Sequence, residues 1–149
     1  MIHTIIREAK KSDLPAIETL TKELIKTINN QKGIDIQHAV NNCKMLINDP
    51  YVCFFVAEQN KTIVGFINVT IRKTILHQDL SGLIDELIVA KEFRGKSIGN
   101  QLVLAAISKC RQLGCCECEV STEKTNTKAR EFYQKCGFEE RGLLFELDL

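Results

Sequence analysis

The chain has 149 residues, 44% of them apolar and 26% charged, with a formal net charge of +1. That length fits one domain, residues 1–149, around one core, and the composition excludes a disordered chain. A near-neutral chain lacks the basic excess of a nucleic-acid groove, and no apolar run approaches the ~20 residues of a membrane span.

The start, Met1-Ile2-His3-Thr4-Ile5-Ile6-Arg7, lacks the basic opening and long apolar middle of a signal peptide, so a cytoplasmic protein is expected. Seven cysteines without a secretion signal argue against a disulfide framework. Cys115, Cys116 and Cys118 are close together but lack the paired C-x2-C spacing of a zinc site. They read as small core residues in a reducing compartment, and no metal is expected.

Residues 2–8 alternate and read as a first strand. Ser12-Asp13-Leu14-Pro15 is a helix start, with a side-chain cap followed by proline in the first turn. The helix carries Ile17, Leu20, Leu24 and Ile28 on one face and stops near Asn29-Asn30, before Gly33. A second helix is expected over residues 36–48, with Val40, Cys43, Leu46 and Ile47 inward, ended by Asp49-Pro50. The period then changes. Residues 51–58 and 62–72 flank a Gln59-Asn60-Lys61 turn and form the strongest hairpin signal in the chain. After a polar loop over 73–81, residues 82–89 read as a strand. Residues 98–113 read as a helix with Ile98, Leu102, Ala106, Cys110 and Leu113 on one face, closed by Gly114. A short strand is expected over 116–121. A last helix follows, capped by Asn126, with Ala129, Phe132, Tyr133 and Cys136 at i, i+3, i+4, i+7. Residues 138–149 alternate in Leu143, Phe145, Leu147 and Leu149 and read as a final strand. The order β-α-α-β-β-β-α-β-α-β describes an α/β (α+β) fold, a mixed sheet with helices.

The stretch Ala90-Lys91-Glu92-Phe93-Arg94-Gly95-Lys96-Ser97-Ile98-Gly99 admits two readings. As a P-loop it lacks the first glycine, where Ala90 stands. It also follows a β-hairpin rather than the first strand of a parallel unit, and no later apolar strand ends in a magnesium-holding aspartate. As an anion-binding helix start it needs only what is present. Unpaired N–H groups and the positive end of the helix dipole attract phosphate, Gly95 and Gly99 let the backbone approach a ligand, and Arg94 and Lys96 add charge. A solvated basic turn would use the same residues.

The segment "IDELIVAKEFRGKSIGNQL", followed by "NTKAREFYQKCGF", resembles the GCN5-related N-acetyltransferase (GNAT) family, which uses acetyl-coenzyme A. The family's Arg/Gln-x-x-Gly-x-Gly/Ala pattern binds the pyrophosphate; here Arg94 fills the first place and Gly99 the last, with Ser97 where the first glycine usually stands. Its Asn-x-x-Ala-x-x-x-Tyr pattern is matched by Asn126, Ala129 and Tyr133, and the element order matches along essentially the whole chain. The resemblance implies a mostly antiparallel sheet with helices on both faces. It also implies an acetyl-CoA-dependent N-acetyltransferase without a metal. The cofactor would be held by Leu87, Ile88, Val89, Arg94, Gly95, Lys96, Ser97, Ile98, Gly99, Asn100, Asn126 and Tyr133.

Acetyl transfer to an amine sets chemical requirements. An alkyl ammonium with pKa near ~10.4 has no lone pair and must lose a proton before it attacks. Asp85 and Glu86 lie on the strand before the turn. Strand alternation sends them to opposite faces, so one at most points at any pocket; Glu86 is preferred and Asp85 is the alternative. The resemblance puts the oxyanion donor among the backbone N–H groups near Leu87 to Val89, and the hydrogen bond to the leaving thiolate on Tyr133. Asn126 serves as helix cap and pantetheine contact. Cys118 could lie near the cofactor thiol, but no histidine is placed to activate it, so direct transfer is expected. The acceptor is expected to be a small-molecule amine, because the domain has no extra segment to grip a peptide. No large acidic patch marks a polycation substrate, and His77, Asp79, Glu18 and Glu23 are the other polar candidates. Protein lysine or N-terminal acetylation and a non-catalytic acetyl-CoA sensor are the alternatives. No nucleic acid or membrane partner is expected, and an exposed C-terminal strand edge suggests a homodimer.

Overall fold

A computed structural model describes residues 2–28 and 33–149. The chain builds β1 (Thr4–Glu8), α1 (Leu14–Thr27), α2 (Ile36–Leu46), β2 (Val52–Gln59), β3 (Thr62–Arg72), β4 (Ser81–Val89), α3 (Ile98–Gln112), β5 (Glu117–Val120) and α4 (Thr127–Lys135). The strands form one sheet in the order β1-β2-β3-β4-β5; β1 to β4 pair antiparallel, and β5 joins β4 in parallel. The β2–β3 hairpin turns on Asn60 and Lys61, both with positive φ (48° and 63°), as a two-residue turn matched to strand twist requires.

The alternation of β2 to β4 splits the core between two helix layers. One face sends Phe55, Ala57, Ile67, Val69 and Ile84 against Ile98, Leu102, Val103, Ala106 and Cys110 of α3, with Phe132 and Tyr133 of α4 beside them. The other sends Phe54, Val56, Phe66 and Ile88 against Ile17 and Leu20 of α1 and Cys43 of α2. Helices thus cover both faces of a mostly antiparallel sheet.

Two expectations change in the structure, and a third lies outside the described residues. Asp13 makes no cap hydrogen bond to α1. Its carboxylate instead takes both Nη atoms of Arg7, at 2.8 and 2.9 Å, and the Lys10 amide at 2.7 Å. A charged, bidentate donor outcompetes a neutral amide for a carboxylate that is only 7% exposed. The expected stop of α1 at Asn29-Asn30 lies outside the described residues; within them the helix ends at Thr27. Residues 138–149 form no strand, and Leu143, Phe145, Leu147 and Leu149 are exposed. Period-two alternation reports an amphipathic ribbon, but a strand needs a ladder partner, and this segment has none.

Candidate active site

Two different environments divide β4. Residues 81–84 pair with β3 on one side and with β5 on the other. Beyond Ile84 the β5 ladder stops while the β3 ladder runs on to Val89, so the sheet opens there into a cleft. The cause is local: the β3–β4 register jumps from Val69↔Ile84 to Asn68↔Glu86, leaving Asp85 as an extra, bulged residue. A bulge sharpens twist and bends its strand away from a neighbour. The Ala90 amide donates to the Val64 carbonyl at 2.8 Å, so alternation turns the Ile88 amide toward β3 and the Leu87 and Val89 amides toward the cleft.

The bulge also resets the two carboxylates. Strand alternation would place Asp85 and Glu86 on opposite faces. Instead, Asp85 accepts a hydrogen bond from the Thr70 hydroxyl, and the Glu86 amide donates to Asn68 Oδ1 at 2.8 Å. Asn68 and Thr70 are two apart on β3 and share a face, so both acids reach the same side, the one covered in part by α1 and α2. Asp85 is exposed and Glu86 half-buried. Burial pushes the Glu86 carboxyl up from 4.5; its hydrogen bond to the Asn68 side chain opposes that, and the negative charge of Asp85 adds to it. A half-buried carboxylate with a raised pKa is suited to taking a proton near neutral pH.

At the end of β4 the chain makes a short turn and enters α3. Gly95 has φ 74°, and no atom would lie within 4 Å of an added Cβ, so its backbone faces open space. Ser97 sits just before α3 at φ 61°, a left-handed conformation that disfavours a side chain. Its hydroxyl makes no cap hydrogen bond. The Ser97 carbonyl takes the Gln101 amide at 3.1 Å, and the earlier amides, Ile98, Gly99 and Asn100, have no acceptor within the helix. Amides left unpaired at a helix start can donate to a phosphate group. A Cβ at Gly99 would meet the Phe132 ring at 3.5 Å, in ordinary contact, so its bare side faces α4. Asn100 lies between the same two helices and accepts from the Cys136 thiol at 3.4 Å.

Arg94 is drawn inward. Its Nε donates to the Val89 carbonyl at 2.8 Å, and Nη2 lies 3.3 Å from Glu23 Oε1. Glu23 also accepts the Lys91 amide at 3.0 Å. One acid on α1 thereby ties both ends of the turn, a role that helical spacing does not reveal. Lys96 is exposed, its Nζ 5.2 Å from the centre of the Phe93 ring.

Across the cleft, Asn126 caps α4 by accepting the Ala129 amide at 3.1 Å. Tyr133 stacks edge-on between Phe132 and Phe138, with ring centres 5.1 and 5.8 Å away. Burial pushes its phenol up to about 12. It therefore stays protonated at neutral pH and can donate a hydrogen bond, whereas handing a proton to a thiolate of pKa ~8.5 is uphill. Cys118 does not face this cleft: it pairs with Gly82 on the α3 side, where Cys110 lies. Glu117 and Glu119 alternate with it and face the other way, toward Arg72 and His77.

A sequence model of the acetyltransferase (GNAT) family matches residues 5–138. An aminoalkylphosphonate N-acetyltransferase from Salmonella typhimurium is 29% identical over 140 residues, covering 94% of this chain and 88% of its own. An uncharacterised N-acetyltransferase from Methanocaldococcus jannaschii is 31% identical over 142 residues, covering 94% and 81%. Among solved structures, the aminoglycoside N-acetyltransferase AAC(6')-Iy in complex with CoA superposes with a TM-score of 0.84 at 22% identity, covering 99% of this chain and 96% of that one. At that identity the likeness shows the fold. With the family match over nearly its whole length, this chain belongs to the GNAT family and is an acetyl-CoA-dependent N-acetyltransferase.

Proposed function

We propose that the whole chain works as one domain that acetylates a primary amine of a small molecule by direct attack, with Glu86 as the base. The observation that carries this reading is the opening of β4 from β5 directly between a half-buried carboxylate and a run of free helix amides. Acetyl-CoA, when bound, supplies the thioester carbon. The amides of Ile98, Gly99 and Asn100 hold the pyrophosphate, with Gly95, Lys96 and Ser97 shaping the turn and Arg94 bracing it. The Leu87 and Val89 amides, free on the cleft side, hold the thioester carbonyl, and Ile88 anchors the strand behind them. Such donors are worth ~3 kcal/mol when charge develops on the oxygen. Glu86 takes the ammonium proton directly or through a water, with Asp85 keeping a second negative charge beside it. Tyr133 donates a hydrogen bond to the leaving thiolate, and Asn126 contacts the pantetheine arm.

A small acceptor is supported by the relatives: one acetylates aminoalkylphosphonates and a structural neighbour aminoglycosides. The exposed apolar tail supports a homodimer, which light scattering would test. Thiol release from acetyl-CoA with a panel of small amines tests the reaction. Turnover on a small amine that is lost in Glu86→Gln is the expected result. Tight acetyl-CoA binding with no turnover on any amine would favour a sensor, and turnover only on peptides would move the acceptor to protein.

A further inference from the structure

We propose that His77, Glu117 and Glu119 bind one divalent transition-metal ion, at the closed end of β4 and on the face that carries Asp85 and Glu86. The residues come together only in the fold: His77 is in the loop between β3 and β4, and the two glutamates are two apart on β5. One ligand atom from each lies within 4.8 Å of the others. The His77 Nε2 is 2.5 Å from Glu117 Oε1. Three ligands at ~2.1 Å from one ion stand about 3.0–3.6 Å apart, so closure needs the His77–Glu117 pair to open and the widest pair to close by roughly an ångström or more, in half-buried side chains.

Ser81 makes this more than a cluster of acids. Its hydroxyl is fully buried and has no hydrogen-bond partner. Cross-strand pairing places Ser81 between Arg72 on one side and Glu117 on the other, so all three side chains share a face. The orphan hydroxyl thus lies beside Glu117 on the face of the two glutamates, where a water bound to the ion would give it a partner. Thr74 supplies the second requirement. Its hydroxyl meets His77 Nδ1 and accepts the His77 amide at 3.2 Å. A proton on Nε2 joins His77 to Glu117 when no ion is bound; with Nδ1–H donated to Thr74, the ion takes the place of that proton, as in a metal-ligating histidine.

The local charges allow a cation. Arg72 occupies one oxygen of Glu119, at 2.7 Å, and leaves the other for an ion. One imidazole and two carboxylates suit Mn2+, Fe2+, Ni2+ or Zn2+ better than an all-oxygen ion such as Ca2+. Glu86 is several residues farther along β4, about 10 Å from this site, so the ion does not touch the thioester. It ties the loop bearing the exposed Ile75 and Leu76 to the edge of the sheet.

Mn2+ is the probe, because the seven free cysteines compete for softer ions. Loss of the free-Mn2+ electron paramagnetic resonance signal should report about one ion per chain. The same ion should raise the melting temperature. His77→Ala should abolish both effects while melting, in chelator, at the wild-type temperature. Glu117→Gln with Glu119→Gln should also abolish binding. A wild-type chain that takes up no Mn2+, or a His77→Ala chain that binds it with unchanged stoichiometry and affinity, overturns the proposal. Neither result bears on acetyl transfer.

Discussion

The two halves of β4 make the same strand into two different devices. Residues 81–84 have ladder partners on both sides, and Gly82 lies so close to α3 that an added Cβ would come within 2.4 Å of Cys110 Sγ. Residues 85–89 keep one ladder, and the other edge faces a cleft. The closed half has its backbone groups paired on both sides, and the open half leaves one side of them without a ladder partner. One bulged residue, Asp85, separates them. Backbone donors of the kind proposed here need no special residue type; they need a strand that is anchored on one side and released on the other.

Substitutions can break or sharpen this contrast. The largest effect is expected from Glu86→Gln, which should lower kcat/KM by about a thousandfold while leaving acetyl-CoA affinity unchanged by calorimetry. The same change should raise stability at neutral pH. Burial raises the Glu86 pKa above 4.5, so the protonated form is the one the fold prefers. That preference is fully present below 4.5 and is lost as pH rises through the higher folded value. Wild type and Glu86→Gln should therefore converge in melting temperature in acid and separate above it. Activity runs the other way, falling as pH drops through the same folded value.

In the closed half, Gly82→Val should destabilise the protein by about 3 kcal/mol in urea unfolding, since Cys110 Sγ and Val69 Cγ1 must both move. Any activity lost should track the unfolded fraction, which would separate this half from the open one. Tyr133→Phe removes a hydrogen bond to a charged leaving group, worth about 2 kcal/mol, or roughly thirtyfold in kcat. Because the Tyr133 hydroxyl has no hydrogen-bond partner among the described residues, the variant's melting temperature should stay near wild type. The smallest effect is expected at Ser97, whose φ of 61° strains any side chain. Ser97→Gly should stabilise by about 1 kcal/mol and leave acetyl-CoA binding intact or tighter, read by thermal melts and calorimetry.

Much of this was legible in residue order. The helices over Leu14–Thr27, Ile98–Gln112 and Thr127–Lys135 follow from their apolar spacing, and the hairpin from its β-rich runs around a polar turn. That Arg94, Gly95, Ser97 and Gly99 lead into a helix is also written in the chain. Period and propensity are local properties, written in neighbouring residues, so a reader of the chain can recover them. The tertiary structure decided the rest. It placed a bulge at Asp85 and so turned two acids to one side. It gave Glu23 the turn to hold, took Asp13 from its cap to Arg7, and left residues 138–149 without a partner strand. Each of these depends on which distant backbone or charge is within a few ångströms, and pairing between strands far apart in the chain leaves no mark on the spacing of either one.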